Sequence, residues 1–389
     1  MSRKKTSYPP AVVSYMSFLG LGIVRSLGQK GITVYAVDPN HNSVGINSKY
    51  CKALISPHVT VDEKGYLDFI ISLGKSFPQR AVFYPTGDVT VLFYTKYRQI
   101  LEQYYQVVMP SKEKVESLLT KDGLTRCAEE AGIPYPKTYF PKCLSDVEKL
   151  KSIVEYPVIF KPVISSSWRT NEAEQIIGSC TKVIEIRDSN TLINWYKRLA
   201  AYDSNLIIQE VIPGEDSLLY YTCFYCNRDS RPLAFFAGRK KRIFPVHYGS
   251  ASFVESIYDE ELKRLTFEFL ARVKYQGLGG MEFKKDLRDN KYKLIEFNTR
   301  FGLWDILGKS CGVDIPWIAY QDTIHQSPEA VLCYRPGPKW ISLARDFAAF
   351  RKYRREGTLS FYGWMKSFIF DNTQGAVFLW RDPMPFFQM

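Results

Sequence analysis

The chain has 389 residues, of which 46% are hydrophobic, so it is long enough for two or three domains and too apolar to be disordered. Its net charge of +12 suits a nucleic acid, an anionic membrane or an anionic substrate, but no nucleic-acid-binding motif occurs, so we expect no nucleic-acid partner. Neither a long apolar run nor a signal-peptide core is present, so we expect no transmembrane segment. Eight scattered cysteines, with one isolated CxxC pair, favour reduced thiols and a cytoplasmic location over a zinc site.

The first segment of the chain predicts a β–α–β unit. A strand is predicted over residues 11–14, followed by a glycine turn at Gly20 and Gly22, a helix, and a second strand over residues 32–37. Asp38, at the end of that strand, is where a dinucleotide-binding protein would hold a ribose. Because the third glycine of the dinucleotide motif is out of place, a domain that binds no nucleotide fits this segment better.

The following segment predicts the end of a first domain and two linking helices. A strand over residues 82–84 leads into a helix at Asp88, which is either an N-cap or part of an anion site made by backbone N–H groups. Residues 107–110 are predicted to be the last strand of this domain. Helices are predicted over residues 112–119 and 122–131, and Gly132 ends the second helix.

Two apolar strands carry polar residues that a purely structural strand would not need. The strand over residues 156–162 contains Lys161, and a lysine in an apolar strand is costly unless its charge meets a partner. A serine-rich stretch without glycine, residues 164–171, comes next. The strand that begins at Leu206 ends in acidic residues around a Pro-Gly turn. Both strands are therefore candidates to line a binding cleft.

Four consecutive basic residues, 239–242, are predicted to lie between strands, just before a Gly-Ser turn at residues 249–252. Such a run is usually a solvated face, but it also suits a basic rim for an anionic group. After it, an amphipathic helix capped by Asp259 is predicted to be core.

The segment from Gly279 to Arg300 predicts a β-hairpin with a polar turn over residues 286–291. Alternate residues of a strand share a face, so Glu282 can lie opposite Glu296 and Asn298 in an antiparallel pair. Two carboxylates and an amide oxygen are hard ligands that suit Mg²⁺. Arg300 stays on that face and can meet a phosphoryl oxygen. The same alternation predicts Tyr292 and Leu294 on the face of Glu296.

Gly-Gly-Met-Glu-Phe at residues 279–283, followed by Leu-Ile-Glu-Phe-Asn-Thr-Arg-Phe-Gly at residues 294–302, resembles the magnesium-binding segment of ATP-grasp carboxylate–amine ligases. Arg-Lys-Lys-Arg-Ile-Phe-Pro at residues 239–245 resembles the D-aspartate ligase branch of that family. The resemblance covers roughly residues 10–325. It implies an α/β protein with the following parts: an N-terminal Rossmann-like pre-ATP-grasp domain (residues 1–115), linker helices with the small ATP-grasp subdomain (116–213), a large subdomain with the magnesium site (214–330), and a C-terminal extension (331–389).

The resemblance also implies a set of site residues. The residues expected to bind nucleotide phosphate are Lys121, Lys161 and Lys182. The residues expected to read the adenine edge are Gln209, Glu210, Val211 and Ile212, with Glu215 on the ribose and Asp216 as second choice. Glu282, Glu296 and Asn298 are expected to hold Mg²⁺, with Mn²⁺ as an alternative. The residues expected to assist the chemistry are Arg300, beside the phosphoryl group, and Arg239 and Arg242, beside the acid.

The implied reaction joins a small-molecule carboxylate to an amine. The carboxylate attacks the γ-phosphate of ATP to give an acyl phosphate and ADP, and the amine then displaces phosphate to form an amide. Two alternatives remain: a non-catalytic ATP-binding regulatory protein on the same fold, and a nicotinamide or nucleotide-sugar enzyme that uses the first domain. The basic, aromatic C-terminal extension is expected to pack on the protein, with peripheral contact to an anionic membrane as the alternative. No feature of the sequence indicates an oligomeric state or identifies the acid and the amine.

Overall fold

A computed structural model describes residues 8–163, 168, 171–178, 183–203, 205–369 and 372–387. Three sheets follow one another along the chain. The strands are β1 (Ala11–Ser14), β2 (Val34–Asp38), β3 (Lys52–Ile55), β4 (Ala81–Pro85), β5 (Tyr105–Gln106), β6 (Thr138–Tyr139), β7 (Val158–Pro162), β8 (Ile184–Ile186), β9 (Leu206–Glu210), β10 (Leu219–Cys226), β11 (Pro232–Phe244), β12 (Ser250–Ile257), β13 (Gly277–Asp286), β14 (Lys291–Asn298), β15 (Lys339–Ile341) and β16 (Thr373–Gly375).

The helices connect these strands and cover the sheets. They are α1 (Phe18–Gly28), α2 (Glu63–Lys75), α3 (Asp88–Lys96), α4 (Arg98–Leu101), α5 (Lys112–Leu119), α6 (Lys121–Glu130), α7 (Leu144–Leu150), α8 (Asn171–Ile177), α9 (Ser189–Ala200), α10 (Glu260–Val273), α11 (Leu307–Ser310), α12 (Ile315–Thr323), α13 (Leu343–Arg355), α14 (Phe361–Ile369) and α15 (Met384–Phe387). Within the described residues, no helix combines the length and the hydrophobicity needed to cross a bilayer.

The first sheet has the strand order β3-β2-β1-β4-β5, and all of its strands are parallel. Its central strand β1 is short, apolar and buried along its whole length, as expected for a parallel strand that has helices on both faces. The predicted Rossmann-like start of the chain is therefore confirmed. The prediction of a last strand over residues 107–110 is wrong, because pairing with β4 ends at Gln106.

The predicted glycine turn is also wrong, because Gly20 and Gly22 lie inside α1. Gly22 is needed there for close packing: a Cβ atom would come within 3.2 Å of side-chain atoms of both Phe301 and Ile306. Asp38, the candidate ribose ligand, is buried and accepts hydrogen bonds from the Met16 backbone N–H and the Ser43 hydroxyl. The two residues that suggested a dinucleotide site thus have structural contacts. Asp38 binds residues of the neighbouring loops, and Gly22 packs against Phe301 and Ile306.

The second sheet is antiparallel, with the order β6-β9-β7-β8. The chain reaches it through α5 and α6. Ser111 caps α5 through a hydrogen bond from the Lys114 N–H to its hydroxyl, and Gly132 follows α6 with φ of +67°. Lys121 is the first residue of α6, so its side chain starts close to the turn between the two helices.

The third sheet has seven strands in the order β14-β13-β10-β11-β12-β15-β16, and its two faces have different neighbours. Along β10, Tyr221, Cys223 and Tyr225 pack into a core that includes Ala11 and Val13 of the first sheet. The alternate residues Tyr220, Phe224 and Cys226 pack into a second core with α10. We call these the inner face and the outer face. Because neighbouring residues of a strand alternate between the faces, the pairing register assigns each side chain to one of them.

The C-terminal extension is built into this sheet. β15 pairs with β12, and β16 pairs with β15, so the boundary predicted at residues 330/331 does not separate two sheets. The other domain limits stay predictions. The chain then returns to the first domain, where the carboxylate of Asp382 accepts hydrogen bonds from Arg25 Nε at 2.8 Å, Ser48 Oγ at 2.7 Å and the Lys49 N–H at 2.9 Å.

A buried ion pair fastens α13 to β11. Arg242 donates from Nε and Nη2 to the carboxylate of Asp346 at 2.8–3.1 Å, and Asp346 also accepts from Ser252 Oγ and Trp364 Nε1. Arg242 is 6% exposed and Asp346 is fully buried. A buried charge that loses its partner is strongly destabilising, so each member of this pair depends on the other.

We expect Asp346→Ala to lower the free energy of unfolding by about 3–5 kcal/mol, because it leaves the Arg242 guanidinium buried without its carboxylate. The matched control is Glu268→Ala, which removes the carboxylate of an exposed pair with Arg264 and should cost at most about 1 kcal/mol. Urea unfolding of both variants measures the difference. Equal losses would show that the buried pair contributes no more than a surface pair.

Candidate functional site

Glu282 and Glu296 face each other across the hairpin of β13 and β14, as predicted. The pairing contains an irregularity: Glu282 pairs with Glu296, whereas the next residue, Phe283, pairs with Leu294, so Ile295 is an extra residue on β14. This β-bulge reverses the alternation. The prediction that Leu294 shares the face of Glu296 is therefore wrong.

The bulge separates carboxylates from core side chains. Tyr292 and Leu294, on one side of the bulge, are buried in the outer-face core with Met281 and Phe297. On the other side, Asn298 is two residues from Glu296 and pairs with Gly280, so it projects to the same face as both glutamates. Two carboxylates and an amide oxygen are thereby placed on one face.

Lysine side chains from two parts of the chain lie against the two glutamates. Lys240 of β11 forms an ion pair with Glu282, and its side chain is only 6% exposed. Lys121 Nζ lies 4.0 Å from Glu296 Oε1 and donates to the Ile295 carbonyl at 3.4 Å. These cations offset the repulsion that two carboxylates directly opposite each other would otherwise produce.

Arg300 lies beyond the end of β14 and contacts the first domain. Its Nε donates to Asp88 Oδ1 at 2.5 Å, at the first residue of α3. Burial lowers the pKa of Arg300, but the adjacent Asp88 carboxylate outweighs this effect, and the net shift is upward. The residue that was predicted to be an N-cap or anion site, Asp88, is thus the partner of Arg300, while Gly87 is the N-cap of α3.

A narrow cleft lies between α6, the second sheet and the hairpin. Its lining includes Lys121, Tyr135, Gln209 and Ile295. Lys161 reaches this region from β7, because its Nζ donates to Gln209 Oε1 at 3.1 Å. The half-buried lysine of the apolar strand therefore has a polar partner. Gln209 and Lys121 line the same cleft, and Lys121 lies beside Glu296.

The end of β9 is fixed to the turn of the hairpin. The Glu210 carboxylate accepts from the Lys137 N–H at 2.9 Å and from Arg288, which also binds Asp286. Burial tends to raise the pKa of Glu210, but Arg288, the Lys137 N–H and Lys293 lower it below its usual value. This side chain therefore joins the small and large subdomains and leaves only its backbone as a candidate nucleotide contact.

The two residues that follow β9 were predicted to read adenine through their backbones. Val211 donates its N–H to the Pro157 carbonyl at 3.4 Å, and the side chain of Ile212 is buried. Both lie beside β7, which pairs with β9 and carries Lys161.

The structure distinguishes the two ribose candidates. Asp216 is 7% exposed, accepts a hydrogen bond from Tyr353 Oη at 2.6 Å and another from the His247 N–H at 3.0 Å. Its carboxylate is thus committed to internal contacts, and the second-choice prediction for the ribose is wrong. Glu215 is exposed, and among the described residues its carboxylate accepts a hydrogen bond from the Ser217 hydroxyl of its own turn, at 3.1 Å. Glu215 remains the candidate.

Arg239 does not lie on the face of the carboxylates. It pairs with Tyr220 of β10, whereas Glu282 pairs with Tyr221, and adjacent residues of a strand point to opposite faces. Arg239 accordingly lies on the outer face, where its guanidinium is 5.7 Å from the ring of Tyr220. The prediction that it borders the acid is wrong. The basic run is also part of β11 rather than a link between strands.

Arg242 is turned to the outer face by a second bulge. Lys240 pairs with Val254 and Arg242 with the adjacent Phe253, so Lys241 is the extra residue. The guanidinium of Arg242 stacks on the ring of Phe253 at 4.2 Å and binds Asp346, as described above. Its predicted contact with the acid is therefore wrong. Lys240 matches the same family pattern but was not among the residues expected to assist the chemistry, and it is the basic residue on the inner face.

Two predicted parts of the site lie outside the described residues. They are Lys182 and most of the serine-rich stretch at residues 164–171. Their assignment to nucleotide phosphate stays a prediction.

The donor set fits a hard divalent cation. Within the part of the chain that the structure describes, no group of three or more His, Cys, Asp or Glu side chains is placed to bind a metal. Glu282, Glu296 and Asn298 form a different kind of set, with two carboxylates and one amide, which is what Mg²⁺ takes when substrate phosphates supply further ligands.

Comparison with known proteins supports this architecture. No family model matches the chain. The chain is 24% identical over 280 residues to D-aspartate ligase of Enterococcus faecium (strain Aus0004). The aligned region covers 69% of this chain and 66% of that protein, slightly less than two thirds of the relative's length.

Two solved structures are similar in fold. The L-amino acid ligase from Bacillus licheniformis has a TM-score of 0.64 at 14% identity and covers 86% of this chain and 79% of that one. The biotin carboxylase domain of the 2-oxoglutarate carboxylase of Hydrogenobacter thermophilus, in complex with MgADP and bicarbonate, has a TM-score of 0.65 at 15% identity and covers 86% and 74%. The predicted ATP-grasp fold is confirmed. The predicted resemblance to D-aspartate ligase is confirmed as well.

A buried carboxyl lies in the loop that follows Arg300. Asp305 is 1% exposed and accepts a hydrogen bond from the Gly302 N–H at 2.5 Å. Burial raises its pKa to about 7, although the Gly302 N–H and Arg300 act in the opposite direction. The native state therefore keeps a proton on Asp305 at pH values where the unfolded chain, with an aspartate pKa near ~4, has released it.

We expect Asp305 to make stability depend on pH. Its contribution is fully present below about pH 4 and is lost as the pH rises to about 7, because only the native state binds the proton in this window. The free energy of unfolding of the wild type, relative to Asp305→Asn, should fall by up to ~1.4 kcal/mol per pH unit. Urea unfolding across this window measures it. Parallel pH profiles for the two proteins would contradict the assignment.

Proposed function

We propose that the protein is an ATP-dependent carboxylate–amine ligase that forms an amide through an acyl-phosphate intermediate. The observation that carries the proposal is a cleft lined by Lys121 and Gln209. Gln209 accepts a hydrogen bond from Lys161, and Lys121 lies beside Glu296, which faces Glu282 across the hairpin. Cations and hard oxygen ligands side by side are what a nucleotide triphosphate and its metal require. The fold is shared with ligases, and one of these neighbours is a complex with MgADP.

The nucleotide is assigned to the cleft between the second sheet and the hairpin. Lys121 and Lys161 would bind phosphate oxygens, and the backbone after Gln209 would bind the adenine edge. Glu215, on an exposed turn, is available for the ribose. Glu282, Glu296 and Asn298 would hold Mg²⁺, which would neutralise phosphate charge. Arg300, fixed by Asp88, is placed to neutralise the transferring phosphoryl group.

An amino acid is proposed as one of the substrates. This rests on the names of the sequence relative and of one structural neighbour, a D-aspartate ligase and an L-amino acid ligase. A carboxylate that approaches the γ-phosphate needs positive charge on its own side, since anion repulsion is strong where water is excluded. Lys240 is the residue to which we assign this charge, because it is buried on the inner face and already contacts Glu282.

The proposal is tested by measuring ADP release with MgATP and a panel of amino acids and amines, and by identifying the products by mass. We expect ADP and an amide to form together, and Glu296→Gln to lower turnover by about 100-fold or more, the usual effect of removing one electrostatic stabiliser. Glu268→Gln, an exposed change on α10, is the control and should leave turnover unaltered.

Two outcomes would contradict this function. Wild-type turnover in Glu296→Gln would overturn the metal assignment. Thermal stabilisation by MgATP without ADP release, for any acid and amine pair, would show a protein that binds ATP without catalysis.

We also expect substitutions of two neighbouring residues of β11, Lys240 and Arg239, to differ in their effect on the kinetics for the acid. Lys240→Met removes the inner-face charge and should lower kcat/KM for the acid by tenfold or more, about 1.4 kcal/mol. Arg239→Gln changes the outer face and should leave the KM for the acid unaltered. Steady-state kinetics on both variants decides between the two faces. An effect of Arg239→Gln as large as that of Lys240→Met would place the acid elsewhere.

A further inference from the structure

The C-terminal extension carries an exposed patch of aromatic rings and guanidinium groups. It is an open, shallow depression between α13 and α14, formed by Phe347, Phe350, Arg351, Arg354, Arg355 and Phe361. We call it the aromatic–arginine surface. None of these residues belongs to the cleft described above. We propose that this surface binds the headgroup layer of a membrane that contains anionic phospholipid, independently of the proposed ligase activity.

The two helices have an inner side that fixes them and an outer side that is open. Asp346 and Phe350 face inwards: Asp346 binds Arg242, and the ring of Phe350 stacks on that of Trp364 with centroids 4.8 Å apart. Phe347, Arg351 and Arg355 recur every four residues, so they share the opposite side of α13. Phe347 and Phe361 also contact the ring of Trp364, with centroids 5.8 and 6.0 Å apart. The surface is therefore fixed by ring contacts that leave its three arginines exposed.

Two of the phenylalanines that form the aromatic–arginine surface are about half exposed. Phe347 is 48% exposed and Phe361 is 54% exposed. Among the described residues, nine of the 17 exposed large hydrophobic side chains lie between Leu343 and Phe387. Single exposed apolar residues are common on proteins, whereas exposed rings that line one depression, as Phe347 and Phe361 do, mark a contact surface.

The charge of the same segment identifies the partner's chemistry. Residues 331–389 contain nine Lys and Arg against four Asp and Glu. Three of the four acids are already paired, Asp346 with Arg242, Asp382 with Arg25 and Glu356 with Lys352. Across the described part of the chain, no ion pair engages Arg351, Arg354 or Arg355. A partner must therefore be anionic and must also accept apolar rings.

A bilayer with anionic lipid meets both needs at once. Phosphate and carboxylate headgroups meet the arginines, while phenylalanine rings enter the boundary between headgroups and acyl chains. The open, shallow form of the surface suits a planar partner that offers many equivalent anions. An acidic peptide is the competing partner, but acidic side chains offer no apolar layer in which the exposed phenylalanine rings could be buried.

The test is sedimentation of the full chain with vesicles of phosphatidylcholine mixed with phosphatidylserine, compared with vesicles of phosphatidylcholine alone. We expect binding to the mixed vesicles only. Combined Arg351→Gln, Arg354→Gln and Arg355→Gln should weaken it by about 100-fold, from about fivefold for each arginine, the factor that corresponds to about 1 kcal/mol. Combined Phe347→Ser and Phe361→Ser should also weaken binding, without any change in charge.

Two matched controls separate the surface from general charge and hydrophobicity. Lys112→Gln, Arg126→Gln and Arg264→Gln remove the same charge from exposed pairs elsewhere, and Val61→Ser with Ile153→Ser removes exposed apolar groups elsewhere. Both should bind nearly as the wild type does. Circular dichroism melting confirms that all variants fold.

Three results would overturn the proposal. They are no binding of the wild type to the mixed vesicles, an equal loss in the charge control, and full binding by the phenylalanine variant, which would leave only non-specific attraction. A concentration-dependent dimer that both surface variants abolish would instead assign the surface to a second copy of the chain.

Discussion

Two carboxylates that face each other on neighbouring strands must be compensated, and this requirement ties the parts of the molecule together. Glu282 and Glu296 are directly opposed, so each disfavours the charge of the other. The compensating cations come from α6, β11 and the chain beyond β14, which are far apart in sequence. Arg300 in turn requires Asp88 of the first domain. The electrostatics of one hairpin thereby fix contacts among three regions.

The ends of helices could be predicted from the sequence where they are set by residues close together in the chain. Ser111, Asp259 and Gly132 mark helix ends through caps and a left-handed turn, and the structure follows these signals. The glutamates of the hairpin were found because hard oxygen ligands at alternate positions of paired strands are an unusual combination. Lys161 was found because a lysine inside an apolar strand needs a polar partner, and Gln209 is that partner.

One physical source of error is the extra residue of a β-bulge. A bulge shifts every later side chain of its strand to the opposite face, and nothing in the residue types at Ile295 or Lys241 announces it. For that reason Leu294 was assigned to the wrong face. Arg242 was preferred because its guanidinium fork suits a carboxylate, and the bulge turns it away from the site. Asp216 illustrates a different limit, because its partners Tyr353 and His247 are distant in sequence and no local pattern predicts them.

The contact of Asp382 with Arg25 has a consequence for how the protein is made. Arg25 is buried in the first helix, and its guanidinium also donates to the carbonyls of Val377 and Asp382. During synthesis the first domain emerges first, yet the groups that satisfy this arginine are added more than 350 residues later. A nascent chain must therefore keep this guanidinium in water until residues 377–382 have been added, and only then can the first domain reach the packing seen here.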